Sequence, residues 1–304
     1  MATTQFPKAN FLPVLTIVLG LMSAVLLSRA LDRRRPPLDQ AQQEENLYVN
    51  GATARRLSLG FKGLIADWYW MRSLQYVGRK VLSAQSDIPI DDLGSLNLKL
   101  LAPLLDTCTT LDPAFIEPYQ YAAIVLPAID VNEAIRLTKK GIAANPNSWR
   151  LYQHLGYIYW QRGEYSKAAE VYGAGSEVSG APPWMRAMKA KMSADGGSRS
   201  TAREIYKRMM EGSTDKDVRS MASLRLLQLD SLDQRDEIRK VLNAYHEKRG
   251  NCPKSWVEIA LTLQSLRLTL NPQGAPLDPS GAPYQLVKNG CDVDLHPQSP
   301  IPAK

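Results

Sequence analysis

A 34-residue period is the strongest constraint on what this chain can fold into. Three consecutive segments, 115–148, 149–182 and 183–216, align without gaps. A small residue occupies the eighth position of each segment, an alanine the twentieth, and a tyrosine the twenty-fourth in two of the three. These residues are Ala122, Gly156 and Ala190, then Ala134, Ala168 and Ala202, then Tyr172 and Tyr206. Such repeats predict helix pairs that stack, because one pair alone cannot bury both of its faces.

The middle segment resembles the tetratricopeptide (TPR) repeat. The TPR pattern W-x2-L-G-x2-Y…A-x3-F is met there by Tyr152, Leu155, Gly156, Tyr159, Ala168 and Tyr172. We therefore predict an all-α fold, a TPR-like α-solenoid of helix–turn–helix repeats over residues 51–250. Segment 96–110 is predicted as the second helix of an earlier unit. Segments 218–230 and 234–248 are predicted as a fourth helix pair, with Asp236 where alanine is expected.

An uncharged apolar stretch lies near the N-terminus. Residues 11–28 read FLPVLTIVLGLMSAVLLS. At about 1.5 Å per residue, and extended to residue 31, this stretch is long enough for a helix that spans a bilayer. The prediction is a tail over 1–10, a single membrane anchor over 11–31 and a linker over 32–50. A cleaved signal peptide is the alternative, since Ser28-Arg29-Ala30 offers small residues at cleavage spacing.

The side of the membrane stays open in the sequence. Four arginines, at positions 29, 33, 34 and 35, follow the apolar stretch, whereas Lys8 precedes it. The positive-inside rule then places the large domain in the cytoplasm of a bacterial inner-membrane protein. Features of the C-terminal segment favour the opposite side.

A helix over 57–82 is predicted between the linker and the repeats. Apolar residues recur there at spacings of three and four, with Trp68 and Trp70 among them. Burial against the first repeats is the preferred interpretation. Contact with the membrane surface is the alternative.

Four segments extend the resemblance beyond the generic repeat. They read GLIADWYWMRSLQYVG (63–78), LDPAFIEPY (111–119), GAPPWM (180–185) and DPSGAPYQL (278–286). They are similar to a group of bacterial membrane-associated TPR proteins without an assigned catalytic activity. The resemblance implies a helical repeat body behind an N-terminal anchor, and it implies little about the ligand.

Residues 251–304 differ in character from the repeats. A helix over 255–270 is predicted to lead into a segment rich in Pro and Gly, in which only 284–287 is strand-like. The run Asp278, Pro279, Gly281, Pro283 and Tyr284 resembles a turn near the end of type II secretion pseudopilins. That resemblance, and a candidate disulfide between Cys252 and Cys291, favour a location outside the cytoplasm.

The remaining chemistry-bearing residues are few. Asp292, Asp294 and His296 alternate near Cys291, and a polar loop is preferred there over a metal site. Cys108 is predicted to be a buried small apolar residue. The chain contains no P-loop, GxSxG, HExxH or paired CxxC motif. Its net charge of +7 comes without a nucleic-acid-binding module. We expect no metal, cofactor or nucleic acid.

A protein-binding groove is the candidate site. In TPR register, positions two, five, six, nine and twelve of the first helix of each repeat face the concave surface. This set comprises Tyr119, Gln120, Arg150, Gln153, His154, Tyr157, Trp160 and Lys191. Aromatic anchors mixed with polar groups are typical of peptide recognition. For His154 a groove-lining role is preferred over that of a general base.

A membrane-tethered, non-catalytic scaffold or assembly factor for protein partners in a bacterial envelope process is therefore the leading hypothesis. Two alternatives stay open. One is a stoichiometric subunit of a larger membrane complex for secretion, pilus assembly or bioenergetics. The other is an enzyme with an unrecognised site in the C-terminal segment.

Overall fold

The chain is a succession of helices closed by a small mixed module. The structure, a computed structural model, describes residues 11–34, 50–84 and 90–303, with side chains described over 16–31, 50–84 and 93–303. The predicted tail and nearly all of the predicted linker lie outside the described residues. The first helices are α1 (Phe11–Arg34), α2 (Gly51–Leu57), α3 (Lys62–Ser83) and α4 (Leu101–Leu111). The repeats contain α5 (Ile116–Val125), α6 (Val131–Ala144), α7 (Trp149–Gln161), α8 (Tyr165–Ser176), α9 (Trp184–Asp195) and α10 (Arg199–Gly212).

Helices α5 to α10 form the three predicted repeats. Each pair has its second helix 34 residues after that of the pair before, at Val131, Tyr165 and Arg199. Each helix packs against the next one along the chain, which gives the stacked, TPR-like α-solenoid. The start of α6 is fixed by Asp130, whose carboxylate accepts hydrogen bonds from the backbone N–H groups of Asn132 and Glu133 at 2.9 and 3.2 Å.

The small residues of the period lie where the helices approach most closely. Ala122, Ala134, Ala168, Ala190 and Ala202 are fully buried. Gly156 lies against the ring of Tyr172, and a Cβ atom at Gly156 would be only 2.8 Å from a ring carbon. Tyr206 fills the equivalent space one repeat later, and its hydroxyl donates to the carbonyl of Ala187 at 3.3 Å. Thr138 instead donates to the carbonyl of Ala134 at 2.7 Å.

The predicted fourth helix pair is wrong. Residues 216–249 form one helix, α11 (Lys216–Arg249), of 34 residues. No Gly or Pro occurs within it, so nothing interrupts the backbone hydrogen bonds where a turn was expected. The helix ends at Gly250, which adopts the left-handed conformation with φ 70°.

The segment before the repeats differs in part from its prediction. The predicted helix over 57–82 begins later in the structure, as α3 at Lys62. The chain turns before it, with Leu59 at φ 45° and Gly60 at φ 95°, and the residues up to Leu57 form the separate helix α2. Helix α3 buries Ala66, Tyr69 and Tyr76 and packs on α4, where Cys108 is fully buried. Helix α4 begins at Leu101, after a 3-10 turn over Ile90–Leu96.

Helix α1 covers the predicted anchor 11–31. Within the described residues, no helix was found that is both long enough and apolar enough to cross a membrane.

The C-terminal module is built on the second half of α11. The predicted helix over 255–270 is shorter in the structure, a 3-10 turn over Trp256–Ile259 and the helix α12 (Ala260–Ser265). Strand β1 (Gln285–Val287) lies within the predicted strand-like piece and pairs antiparallel with β2 (Asp292–Asp294), which was not predicted. Buried Tyr284, Val293 and Leu295 pack with Ile238 and Leu242 of α11.

Candidate protein-binding groove

Helices α7 and α9, the first helices of the second and third repeats, carry the candidate site. Trp149 and Trp160 are eleven residues apart on α7. At about 100° per residue they lie on nearly the same face of the helix, roughly 16 Å apart along its axis. Trp184 and Lys191 are seven residues apart on α9 and share a face in the same way. Side-chain contacts between Trp149 and Trp184 and between Trp160 and Lys191 bring the two faces together, and an aromatic cluster lies towards each end of this candidate groove.

The first cluster lies at the beginning of both helices. The rings of Trp149 and Trp184 pack edge to face with their centroids 6.1 Å apart. The guanidinium carbon of Arg150 lies 4.6 Å from the centroid of the Trp149 ring, within the range of a cation–π interaction. A depression of about 520 Å³ opens beside them, between the start of α7 and the turn that ends α6. Aromatic, cationic and backbone polar groups therefore surround one open site.

The second cluster lies towards the end of α7. The rings of Tyr157 and Trp160 pack edge to face with centroids 5.8 Å apart. The ammonium of Lys191 lies 5.7 Å from the centroid of the Trp160 ring and 2.8 Å from a carboxylate oxygen of Asp195. Tyr157 is 49% exposed although it is a large ring on a repeat helix. An exposed ring held by a second ring is a rigid contact surface with little rotamer entropy left to lose on binding.

Of the other predicted groove residues, three are half-buried and one, Tyr119, is fully buried. Gln120, Gln153 and His154 are half-buried. Burial lowers the pKa of His154, so the imidazole is held in its neutral form at neutral pH. Tyr119 is not a groove residue, which corrects the prediction. It is fully buried, its ring lies against Gly141, and its hydroxyl donates to the carbonyl of Thr109 at 3.3 Å.

Trp149 and Trp184 were absent from the predicted groove set. They stand at positions one and two of their repeats, at the start of a first helix. Position two faces the concave surface in the TPR register, so the register itself was the available signal for Trp184, whereas Trp149 lies one residue outside that register. Trp184 remains 40% exposed.

The two cysteines of the C-terminal module are joined. Cys252 and Cys291 form a disulfide with their Cα atoms 5.1 Å apart. His246, at the end of α11, places Nδ1 3.6 Å from the sulfur of Cys252. These three residues are the only group of metal-binding type within the part of the chain that the structure describes. Because both sulfur atoms are bonded to each other, these cysteines crosslink the C-terminal module covalently.

The carboxylates considered as metal ligands are held by arginines of α11. Asp292 accepts from Nε of Arg239 at 2.9 Å, and Asp294 accepts from Nη1 of Arg235 at 3.2 Å. Hydrogen bonds from Lys288 and Arg239 keep the pKa of Asp292 well below its ordinary value despite partial burial. These contacts fix the hairpin of β1 and β2 against the helix.

Asp278 organises the turn that resembles a pseudopilin segment. Its carboxylate accepts from the backbone N–H groups of Ser280 and Ala282 at 2.8 and 3.0 Å and from the hydroxyl of Ser299 at 2.5 Å. Burial alone would raise the pKa of Asp278, but these hydrogen bonds outweigh it and the pKa is lowered. The run is therefore a structural turn stabilised from within.

The fold defines a TPR-like helical repeat protein, a class whose concave surfaces bind proteins. No family model and no curated protein matches the chain. Among solved structures, it is similar to the crystal structure of a thermophilic TPR protein from Thermus thermophilus. The TM-score is 0.33 at 18% identity, and the match covers 58% of this chain and 99% of the other. The assignment to the class depends on the helix pairs and their 34-residue spacing and not on this similarity.

Proposed function

We propose that the chain is a membrane-tethered scaffold that binds a protein partner in the groove between α7 and α9. The observation that carries this proposal is the pair of aromatic clusters at Trp149 and Trp160. In these clusters the exposed rings are Trp184 and Tyr157, which are costly to expose to water, and each is held in place by the half-buried ring of Trp149 or Trp160. Trp, Tyr and Arg are the residues that most often dominate protein–protein binding energy, and the two clusters contain all three.

The tether is proposed from the character of α1. Nine large apolar side chains between Ile17 and Leu31 are exposed, on all faces of the helix. A helix that is apolar all round is stable when it is surrounded by protein or lipid. The side chains of residues 11–15 lie outside the described part of the chain, and in the sequence the full uncharged stretch 11–28 has the length for lipid. The solenoid is proposed to lie outside the cytoplasm, because a disulfide persists in an oxidising compartment.

Site-directed photocrosslinking in the native membrane tests the groove. A benzoyl-phenylalanine at position 157 replaces one exposed ring with another and leaves the core untouched. We expect a discrete crosslinked protein from this position. We expect Trp160→Ala in the same chain to reduce its yield by roughly tenfold, the loss for an anchor worth about 1.4 kcal/mol.

The matched control carries the photocrosslinker at Lys207, which is exposed on α10, the second helix of its repeat. This position should give no discrete product. Equal products from positions 157 and 207, or a product at 157 that is unaffected by Trp160→Ala, would show that the groove is not the binding surface.

A further inference from the structure

A second apolar surface lies outside the groove, on α2, α3 and the turn between them. Six large apolar side chains are exposed there, each between 48% and 87%. We call this set the α2–α3 apolar face, and it consists of Leu57, Leu59, Phe61, Leu64, Trp68 and Met71. Contiguous exposed apolar residues of this kind mark an interaction site on a folded protein.

The spacing shows that this face is distinct from the core. Phe61, Leu64, Trp68 and Met71 recur at intervals of three, four and three residues along one side of α3. Ala66, Tyr69, Ser73 and Tyr76 recur at the same intervals on the other side, where they are buried. Helix α3 therefore has two apolar sides, and the packing of the solenoid uses only one of them.

The turn presents its side chains at a conformational cost. Leu59 has φ 45°, a backbone region that is unfavourable for a non-glycine residue. Its side chain is 87% exposed. Exposure of this leucine is unfavourable in water, so the turn is suited to apolar surroundings.

The charge around the face is mainly positive. Residues 50–84 contain six Lys or Arg residues and one acid, Asp67. Arg55, Arg56 and Lys62 are exposed beside the apolar side chains of the turn. The guanidinium carbon of Arg72 lies 4.8 Å from the centroid of the Trp68 ring. An apolar face with an interfacial tryptophan and flanking cations matches the boundary of an anionic bilayer.

We infer that the α2–α3 apolar face binds the surface of an anionic membrane, with the turn at Leu59 and the ring of Trp68 inserted at the headgroup level. The proximity to a bilayer rests on the proposed function. Fifteen residues, 35–49, separate α1 from Asn50, so Asn50, next to the start of α2, lies within roughly 60 Å of the end of α1 by covalent length alone.

Nitroxide depth measurements on the full chain in vesicles containing phosphatidylglycerol and phosphatidylcholine test this inference. Spin labels are placed one at a time, as Leu64→Cys, Leu21→Cys or Leu261→Cys, with Cys108→Ala in each chain. Leu261, an exposed leucine of α12, is the matched control. We expect the label at position 64 to collide mainly with oxygen, as in lipid, and the label at position 261 to collide mainly with a water-soluble nickel chelate.

The label at position 21 separates the two proposals. A lipid signal at 64 with a water signal at 21 supports the face and contradicts the anchor. A water signal at 64 overturns the face, whichever signal position 21 gives. A label at 64 that is immobilised and shielded from both reagents is covered by protein, either a second copy or another partner, and also overturns the inference.

A separate set of variants tests the contribution of the positive charges. Arg55→Gln, Arg56→Gln and Lys62→Gln together remove three cations without changing an apolar side chain. In the mixed vesicles, we expect this triple variant to shift the signal at position 64 towards water. In vesicles of phosphatidylcholine alone, we expect the same shift for the chain that keeps all three cations. An unchanged lipid signal in both cases would contradict recognition of anionic lipid.

Discussion

At the residue scale, the contacts of single small side chains set the spacing of the solenoid. Gly156 is in contact with the buried ring of Tyr172, which is 2% exposed. A ring with no free space around it cannot move aside for an added methyl group. The eighth position of the period is therefore small because the tyrosine of the same helix pair occupies the volume of a larger side chain.

Gly156→Ala is expected to destabilise the solenoid by about 1–3 kcal/mol, the usual cost of overpacking. Gly78→Ala is the matched control, since Gly78 also lies within a helix but has no atom within 4 Å of an added Cβ. This second change should stabilise by about 0.5–1 kcal/mol through helix propensity. Urea denaturation followed by circular dichroism measures both. Equal stability of the two variants would refute the packing argument.

At the element scale, α11 serves two cores. Its first half packs against α10 through Ala222 and Leu229, and its second half packs against the C-terminal module through Ile238 and Leu242. Ion pairs continue along the α10 side, where Arg199 contacts Asp233 and Asp236 at 2.8 and 2.6 Å. In a repeat, alanine at this position lets two helix backbones approach closely. Asp236 can stand there because this part of α11 contacts an arginine side chain and not a close helix backbone.

Hydrogen exchange distinguishes one long helix from a helix pair. We expect amides 229–236 to exchange as slowly as those on either side, since all of them donate within an unbroken helix. The matched comparison within the same chain is the turn at 162–164 between α7 and α8, which should exchange faster. Rapid exchange confined to 231–233 would show that a turn interrupts α11.

At the scale of the whole molecule, the disulfide connects the fold to its compartment. Cys252 lies just after α11 and Cys291 just before β2, and the two are 39 positions apart in sequence. Closing a loop of this length stabilises the module by about 4 kcal/mol in the chain-entropy description. That contribution exists only where the thiols are oxidised, which is why the proposed location lies outside the cytoplasm.

Differential alkylation in cells checks this proposal. Free thiols are blocked with a maleimide under denaturing conditions, and the disulfide is then reduced and labelled with a heavy polyethylene glycol maleimide. We expect two heavy labels per chain, with the third cysteine, Cys108, already blocked. A Cys252→Ser chain should take up no heavy label. Blocking of all three cysteines in the unaltered chain would place the solenoid in a reducing compartment.

The sequence by itself determined the helix pairs, their 34-residue register and the burial of the small residues, because stacking repeats impose the same close contacts at every period. It also placed Tyr157, Trp160 and Lys191 on one surface, and their side chains contact one another in the structure. It could not predict that Tyr119 is buried or that Trp149 pairs with Trp184, because those outcomes depend on which neighbouring helix each side chain meets.

Only the tertiary structure decided the course of the chain beyond the repeats. The residues of α11 fit a broken helix or a continuous one, and its contacts with α10 on one half and the C-terminal module on the other select the continuous form. Strand β2 was missed because its three residues form a strand only through pairing with β1 and the arginines of α11. Local sequence patterns report periodic burial, whereas non-periodic contacts between distant segments are fixed by packing alone.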